Sequence, residues 1–512
     1  MSNLDQFVQA QTNRAQLSHQ SLKSGLITFA AQPMKLAIGI GTTAALARLV
    51  TPADFGLLAM VSPLLVLVDS LSNFGLETAT IQRQSLTHKQ ASAAFWLSLT
   101  VNAVIITAMV GMGPVLAQFY SQPALVAITA AMAVGEFSTC LSFQHKALLK
   151  RRMQFKLLTG IELIAIVIST ITALTAAWMG SGYWALVLQV VVMQVVQNVA
   201  YWITCDWRPD SPTLQKAKNR ASNAKRSEDD IKGMFAYGIN LTGFRFITRI
   251  GMQMDRILVG YISGATALGF YDVAYRWAYF PFIQIYAPLF DVAVSSLSRA
   301  YENPQTYRKY AKWTLTALFA LCLPALTFLY VTAQDVLLAL LGEQWLSAVP
   351  IFRLLLVATA ISSAYRVTKW LYLSSGQTRR QLHWGLVHAP VTIAAVSIGA
   401  HWEAYGIAAG YTLSTCILTY PSILFCLKDS PLKVSDFLST FWPPAATSLL
   451  AGILLFAVTP LFATSFNNSL LTLCFQAVFF TTIYCAMWLS LPDSRKSAIQ
   501  AIAQLRQLRQ KQ

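Results

Sequence analysis

The chain is poor in charge and poorer still in acid: Asp, Glu, Lys and Arg make up 12% of its 512 residues, with 38 basic side chains against 21 acidic ones. It has no phosphate-binding loop and no nucleotide-binding domain, which excludes an ATP-driven engine of its own. Its six His are scattered, and His401 with Glu403 is too thin for an acid–base pair. Its seven Cys show no metal-like spacing, which excludes a zinc site and a disulfide framework. Six of these lie in apolar stretches (Cys140, Cys322, Cys416, Cys426, Cys474, Cys485), with Cys205 at the edge of one. No polar stretch is long enough to fold as a soluble domain. Any work must come from binding and movement, or from a gradient.

What the chain does have is apolar length. It is 55% hydrophobic with a mean hydropathy of +0.51, far from the soluble average. About fourteen long apolar stretches run between Ile27 and Leu489, and lipid offers no water to satisfy backbone N–H and C=O groups, so such stretches cross as helices. The expected spans are 26–47, 56–76, 92–117, 124–145, 157–178, 183–203, 234–259, 267–297, 311–333, 347–370, 382–400, 404–426, 440–462 and 468–490. The fold class read from this pattern is an all-α polytopic membrane protein.

Charge fixes the expected topology. The links between spans alternate between basic and nearly uncharged, and Lys and Arg stay on the cytoplasmic side. One basic set holds Lys146, Lys150, Arg151, Arg152 and Lys156, and another holds Arg299, Arg308, Lys309 and Lys312. The links at 118–123, 179–182, 263–266 and 463–467 have neither Lys nor Arg. Both termini are therefore expected in the cytoplasm. The net charge of +17 reads as topology plus attraction to anionic membrane lipids, not as nucleic-acid binding. Residues 1–24 are polar and no small-residue cleavage site follows, so the first span is expected to be retained.

The chain divides at its longest polar segment. The expected organisation is a tail at 1–25, an N-lobe at 26–203, a basic linker at 204–233, a C-lobe at 234–426, two further helices at 427–490 and a basic tail at 491–512. A weak internal repeat supports two lobes. Leu46, Thr51-Pro52-Ala53-Asp54-Phe55-Gly56, Pro63 and Ile81-Gln82-Arg83 have counterparts in Leu258, Gly264-Ala265-Thr266-Ala267-Leu268-Gly269, Pro281 and Leu297-Ser298-Arg299. In each copy a span ends, a short non-basic turn follows, a Gly opens the next span and a Pro interrupts it. Repeated halves with a site between them are a recurring transporter plan.

Ionisable groups inside spans are costly and mark function by default. Lys35, Arg245, Arg249, Arg256 and Arg276 are the candidate anion site, since guanidinium forks take phosphate oxygens with two parallel hydrogen bonds. At about 100° per residue, Arg245, Arg249 and Arg256 share one helix face. Arg276 stands four residues after Asp272 and can simply neutralise it. Arg48, Arg353 and Arg366 lie near span ends, where snorkelling to the headgroups explains them. The acids Asp69, Glu136, Glu162, Asp255 and Asp291 can carry a proton or Na⁺, or serve as counter-ions for the cations. Pro33, Pro63, Pro281, Pro288, Pro324, Pro390 and Pro421 permit bends within spans.

Phe55-Gly56-Leu57-Leu58, Asp69-Ser-Leu-Ser-Asn-Phe-Gly75, Ile81-Gln82-Arg83 with His88 beyond, Tyr271-Asp-Val-Ala-Tyr275 leading to Pro281, and Gly342-Glu343-Gln-Trp345 leading to Pro350 together form an ordered set. It resembles the bacterial polysaccharide flippases, especially the colanic-acid type, of the multidrug/oligosaccharidyl-lipid/polysaccharide exporter superfamily. The resemblance implies two six-helix lobes in pseudo-twofold arrangement plus two C-terminal helices, and no enzymatic activity. It implies an inner-membrane protein that moves undecaprenyl-pyrophosphate-linked sugar repeat units to the periplasmic leaflet. It also implies polysaccharide polymerase and export machinery as partners, and an H⁺ or Na⁺ gradient or the membrane potential in place of a cofactor. Asp69 matches a family position, whereas Asp272 stands where the family can carry Asn.

Two rival readings stay open at this level. A cation-coupled drug antiporter of the same superfamily would favour acidic or aromatic cavities, against the cationic excess here. A non-transporting partner in a glycan-export complex would need none of these charges. A membrane polymerase or ligase would need a sizeable extracytoplasmic loop, and every such link here is short.

Overall fold

A computed structural model describes residues 14–72, 77, 80–81, 86–210, 251, 253–465 and 469–491. Every regular element among them is a helix. The expected anion-site residues Arg245 and Arg249, and most of the expected linker, lie outside the described residues. By its contacts the chain forms two units, Met1–Gly269 and Phe270–Gln512.

The first unit contains α1 (Arg14–Leu49), α2 (Pro52–Ser72), α3 (His88–Phe119), α4 (Ala124–Arg151), α5 (Phe155–Trp178) and α6 (Tyr183–Thr204). Local chemistry sets several of the boundaries. Thr87 and Gln90 form a reciprocal capping box at the start of α3, satisfying two otherwise orphaned donors. Lys150 and Arg151 close the last turn of α4, where the helix dipole favours cations. Asp54 organises the entry to α2: one carboxylate oxygen accepts from Thr51 N–H and Oγ1, and the other accepts from Tyr183 N–H at 3.1 Å. α1 packs along α5, α3 along α4, and α6 against both α4 and α5.

α7 runs from Met254 to Ala300 and carries the boundary between the units. Gly264 interrupts it at φ +78°, a left-handed conformation that a side chain would strain. Its first third belongs to the first unit, and there the sequence repeat becomes physical. A Cβ on Gly56 would sit 1.7 Å from the Ala265 carbonyl oxygen, and one on Gly269 would sit 1.9 Å from the Pro52 carbonyl oxygen. Gly56 corresponds to Gly269 in the repeat, and Pro52 to Ala265, so the two contacts are mirror copies of one another. Only glycine lets two helix starts approach so closely.

The second unit continues with α8 (Pro304–Val331), α9 (Ala333–Leu341), α10 (Val349–Arg366), α11 (Thr368–Ser374), α12 (Thr378–Gly399), α13 (Glu403–Leu427), α14 (Val434–Ser465) and α15 (Ser469–Ser490). Asn303 caps α8 and Pro304 opens it, the position where a missing N–H costs nothing. The main core joins Leu297, Tyr307, Phe319, Trp370, Tyr372 and Phe437. A smaller one, Leu455 with Phe480 and Tyr484, seats α14 and α15 beside Phe328 of α8.

Among the described residues eleven helices are long and apolar enough to cross a membrane, which establishes a multi-pass membrane protein. The fourteen expected crossings do not appear as fourteen separate helices. The expected seventh span, 234–259, lies mostly outside the described residues, and its last six share helix α7 with the expected eighth, interrupted at Gly264. The eleventh and twelfth share one stretch, Arg379–Leu427, broken at Ala400–Trp402 and at Glu403, whose φ is +56°. The first expected span falls in α1, which is not among the eleven. Link residues can thus be drawn into helical geometry, which hydropathy does not register.

Candidate functional site

Three groups of membrane-embedded polar residues stand out, and each is built within one unit. The first joins α1 to α5. Lys35 Nζ forms an ion pair with Glu162, and one turn pair further along Thr42 and Thr170 hydroxyls meet at 3.0 Å. Lys35 and Glu162 entered the sequence reading in different roles, one as anion binder and one as coupling acid. Here they are each other's counter-ion, because the packing of α1 on α5 brings residues 127 apart in sequence together.

The second group joins α4 and α6. Gln194 Nε2 donates to Glu136 Oε1 at 3.0 Å. Asp69 of α2, an exposed carboxylate, is close enough to act on Glu136 electrostatically. Two like charges near one another in low dielectric favour holding a proton or binding a cation. Gln194 was not identified from the sequence, since a lone amide inside a span gives no periodic signal.

The remaining described site residues are dispersed. Arg256 Nη1 donates to Gln253 Oε1 at 2.8 Å, and its neighbour Asp255 is buried. Arg276 pairs with Asp272 at 2.6 Å, the i,i+4 neutralisation expected from spacing, yet its side chain remains 56% exposed. Asp291 is exposed.

The third group is centred on Arg366, in the last turn of α10. Its guanidinium lies over the Tyr279 ring at 4.6 Å and the Phe282 ring at 5.6 Å. Nη1 donates to the Tyr279 hydroxyl at 3.3 Å, and the Tyr286 hydroxyl donates to the Arg366 carbonyl where α10 ends. Arg353, the other expected snorkeller of α10, lies over the Tyr330 ring at 5.9 Å.

At the basic end of the first unit, residues that the sequence assigns to the linker are part of the packed core. Trp207 is fully buried, and its indole N–H donates to His88 Nδ1 at 3.0 Å. The Trp96 indole donates to the Asp210 carbonyl at 2.7 Å, and Asp210 N–H donates to Ser92 Oγ. His145 lies over Trp202 at 4.3 Å. Burial pushes the Cys205 thiol up, leaving it a neutral filler among these rings. The segment 205–210 is therefore a latch holding the ends of α3, α4 and α6 together.

Among the described residues no group of His, Cys, Asp and Glu could hold a metal ion. The arrangement can bind anions, hold a proton or small cation, and present aromatic faces.

Residues 45–350 match the family model described as "Polysaccharide biosynthesis protein". The chain is 24% identical to the teichuronic acid biosynthesis protein TuaB of Bacillus subtilis (strain 168), over 76% of this chain and 78% of that protein. It is 21% identical to the lipopolysaccharide biosynthesis protein WzxC of Escherichia coli (strain K12), over 83% of this chain and 84% of that one. Among solved structures, the lipid II flippase MurJ in an inward closed conformation superposes with a TM-score of 0.69 at 11% identity, covering 90% of this chain and 98% of MurJ. An inward-facing multidrug resistance transporter of the MATE family, MOP superfamily, superposes with a TM-score of 0.61 at 13% identity, covering 81% and 99%. With its family matched over more than half its length and its helices arranged as in MOP-superfamily transporters, the chain belongs to the polysaccharide biosynthesis protein family.

Proposed function

We propose that this protein flips undecaprenyl-pyrophosphate-linked oligosaccharide repeat units from the cytoplasmic to the periplasmic leaflet of the inner membrane, by alternating access, for surface polysaccharide synthesis. The observation that carries this reading is the family match across residues 45–350 on a lipid-flippase-like fold. Both termini lie in the cytoplasm, as the basic links require. The pyrophosphate is met by intramembrane cations, of which Arg276 is an exposed example in the structure. Bound phosphate oxygens compete with Asp272 for its guanidinium, and the fork geometry suits either partner. Asp69 and Glu136 supply the coupling to a proton or Na⁺ gradient, because bringing a cation between two like charges relieves their repulsion. The flipped unit then passes to the polymerase and export machinery.

The test is a proteoliposome assay with a labelled polyprenyl-pyrophosphate oligosaccharide, scoring transfer between leaflets. Transfer by the wild type, reduced by about tenfold or more in Asp69→Asn/Glu136→Gln under an imposed gradient, is the expected result. No transfer by folded protein in any gradient, with efflux of a cationic drug instead, would replace this reading by a drug antiporter.

A further inference from the structure

One ion cluster of the second unit is out of balance. Arg308 and Lys312 stand four residues apart on α8, and both reach Asp436 in the first turn of α14. Arg308 donates through Nε at 2.8 Å and through Nη2 at 2.6 Å to one carboxylate oxygen, Oδ2, which also accepts from Lys433 N–H at 3.1 Å. Lys312 Nζ lies 2.7 Å from the other oxygen, Oδ1. The other described Lys and Arg pairs match one cation to one acid, whereas here two cations share a single carboxylate.

The acid is enclosed and the cations are not. The Asp436 side chain is 7% exposed, while those of Arg308 and Lys312 are 39% and 42% exposed. One positive charge is left over, and Lys433, exposed at the same helix start, adds another. A guanidinium has five N–H donors and an ammonium three, so Arg308 and Lys312 keep donors beyond those that Asp436 takes.

The seam below the cluster is apolar. Phe319 of α8 packs on Phe437 and Phe441 of α14 at 5.9 and 5.1 Å, so the two helices run side by side from the cations into the membrane-crossing stretch. Exposed apolar side chains continue along both of them, Trp313 and Leu321 on α8 and Leu438 and Trp442 on α14. Cations at the end of an exposed apolar seam have the polarity of a phospholipid: phosphate against the donors, acyl chains along the helices. A dissolved phosphate would use the donors and leave the apolar surface unused. A diphosphate carries more negative charge than Arg308 and Lys312 leave over, whereas a phosphodiester matches it.

We propose that Arg308, Lys312 and Lys433 form a headgroup site for an anionic glycerophospholipid, whose phosphodiester neutralises the charge that Asp436 leaves over and fastens α14 to α8.

The experiment is native mass spectrometry of the full chain in detergent, titrated with phosphatidylglycerol or phosphatidylcholine and read as the Kd of the first bound lipid. The wild type should prefer phosphatidylglycerol by about fivefold or more, the margin expected for one cation near an anionic headgroup. Lys312→Gln leaves Arg308 balanced against Asp436, so the ion pair survives and the preference should vanish. Lys433→Gln should lower it by a smaller factor. Asp436→Asn frees both cations and should tighten phosphatidylglycerol binding, even though it loosens the seam and lowers the melting midpoint. A purely structural cluster predicts the opposite sign for that variant, so weaker binding by folded Asp436→Asn overturns the proposal. So does equal affinity for the two lipids in the wild type, or an unchanged preference in Lys312→Gln. Displacement of phosphatidylglycerol by equimolar inorganic pyrophosphate would also overturn it, making the cluster a site for soluble or substrate phosphate.

Discussion

The two units share one way of holding charge and differ in a single cluster. In the first unit opposite charges and amides answer one another across helices: Lys35 with Glu162, Lys150 with Glu77 at 2.5 Å, Gln194 with Glu136. The second does the same where Arg308 and Lys312 of α8 meet Asp436 of α14 and Gln476 meets Asp335, but there Arg366 lies against aromatic faces and a phenol hydroxyl. Paired charges are tied to a particular packing of helices, since losing one partner strands the other. A cation among π faces is held without a counter-charge.

Substitutions break or sharpen that contrast, and the largest effect lies where both repeat copies meet. Gly56→Val puts a side chain into the Ala265 backbone carbonyl, an overpacking that no rotamer avoids. The expected cost is about 4 kcal/mol or more, read as loss of monodisperse protein on size exclusion. Gly269→Val should match it, and a mild effect at one site alone would show that the two contacts are not equivalent.

Next comes Lys35→Met, which leaves Glu162 without its cation. With side chains 15% and 35% exposed, solvent screening reduces the cost to about 1–3 kcal/mol. Adding Glu162→Gln should recover most of the lost melting midpoint. Strict additivity in that double-mutant cycle would mean that the pair contributes nothing.

Trp207→Phe leaves a smaller aromatic ring and removes the indole donor, so His88 Nδ1 loses its bond. The expected loss is about 1–2 kcal/mol, with faster proteolysis after residue 204 as an independent readout. Unchanged proteolysis would mean that the latch is held by ring packing alone.

The smallest expected effect on stability is Arg366→Met. It removes the cation–π contacts but also a costly charge, so stability should fall by no more than about 0.5 kcal/mol, or rise, read from the melting midpoint. A drop as large as that of Lys35→Met would make Arg366 a structural pillar like the paired charges.

Some of this was legible before the structure. Asp272 and Arg276 could be paired from spacing, because four residues on a helix bring two side chains onto one face whatever the rest of the protein does. Gly56 and Gly269 stood out as repeat partners, though not as neighbours. Lys35 gave no hint of Glu162, since the pair depends on how α1 and α5 are rotated about their axes. Arg366 gave no hint of Tyr279 and Phe282, since those contacts depend on how α7 and α10 pack. Trp207 sat in a polar segment with Arg208, Pro209 and Asp210, and nothing in that composition marks it as core.

The sequence by itself determined the class and the presence of many membrane-crossing helices. These follow from backbone hydrogen bonding in lipid and from hydropathy, which act residue by residue along the chain. Only the tertiary structure decided which charges neutralise one another, which cation is left among tyrosines, and where the linker becomes core. Those outcomes depend on helix rotation and contact between residues far apart in sequence, and a one-dimensional pattern carries neither.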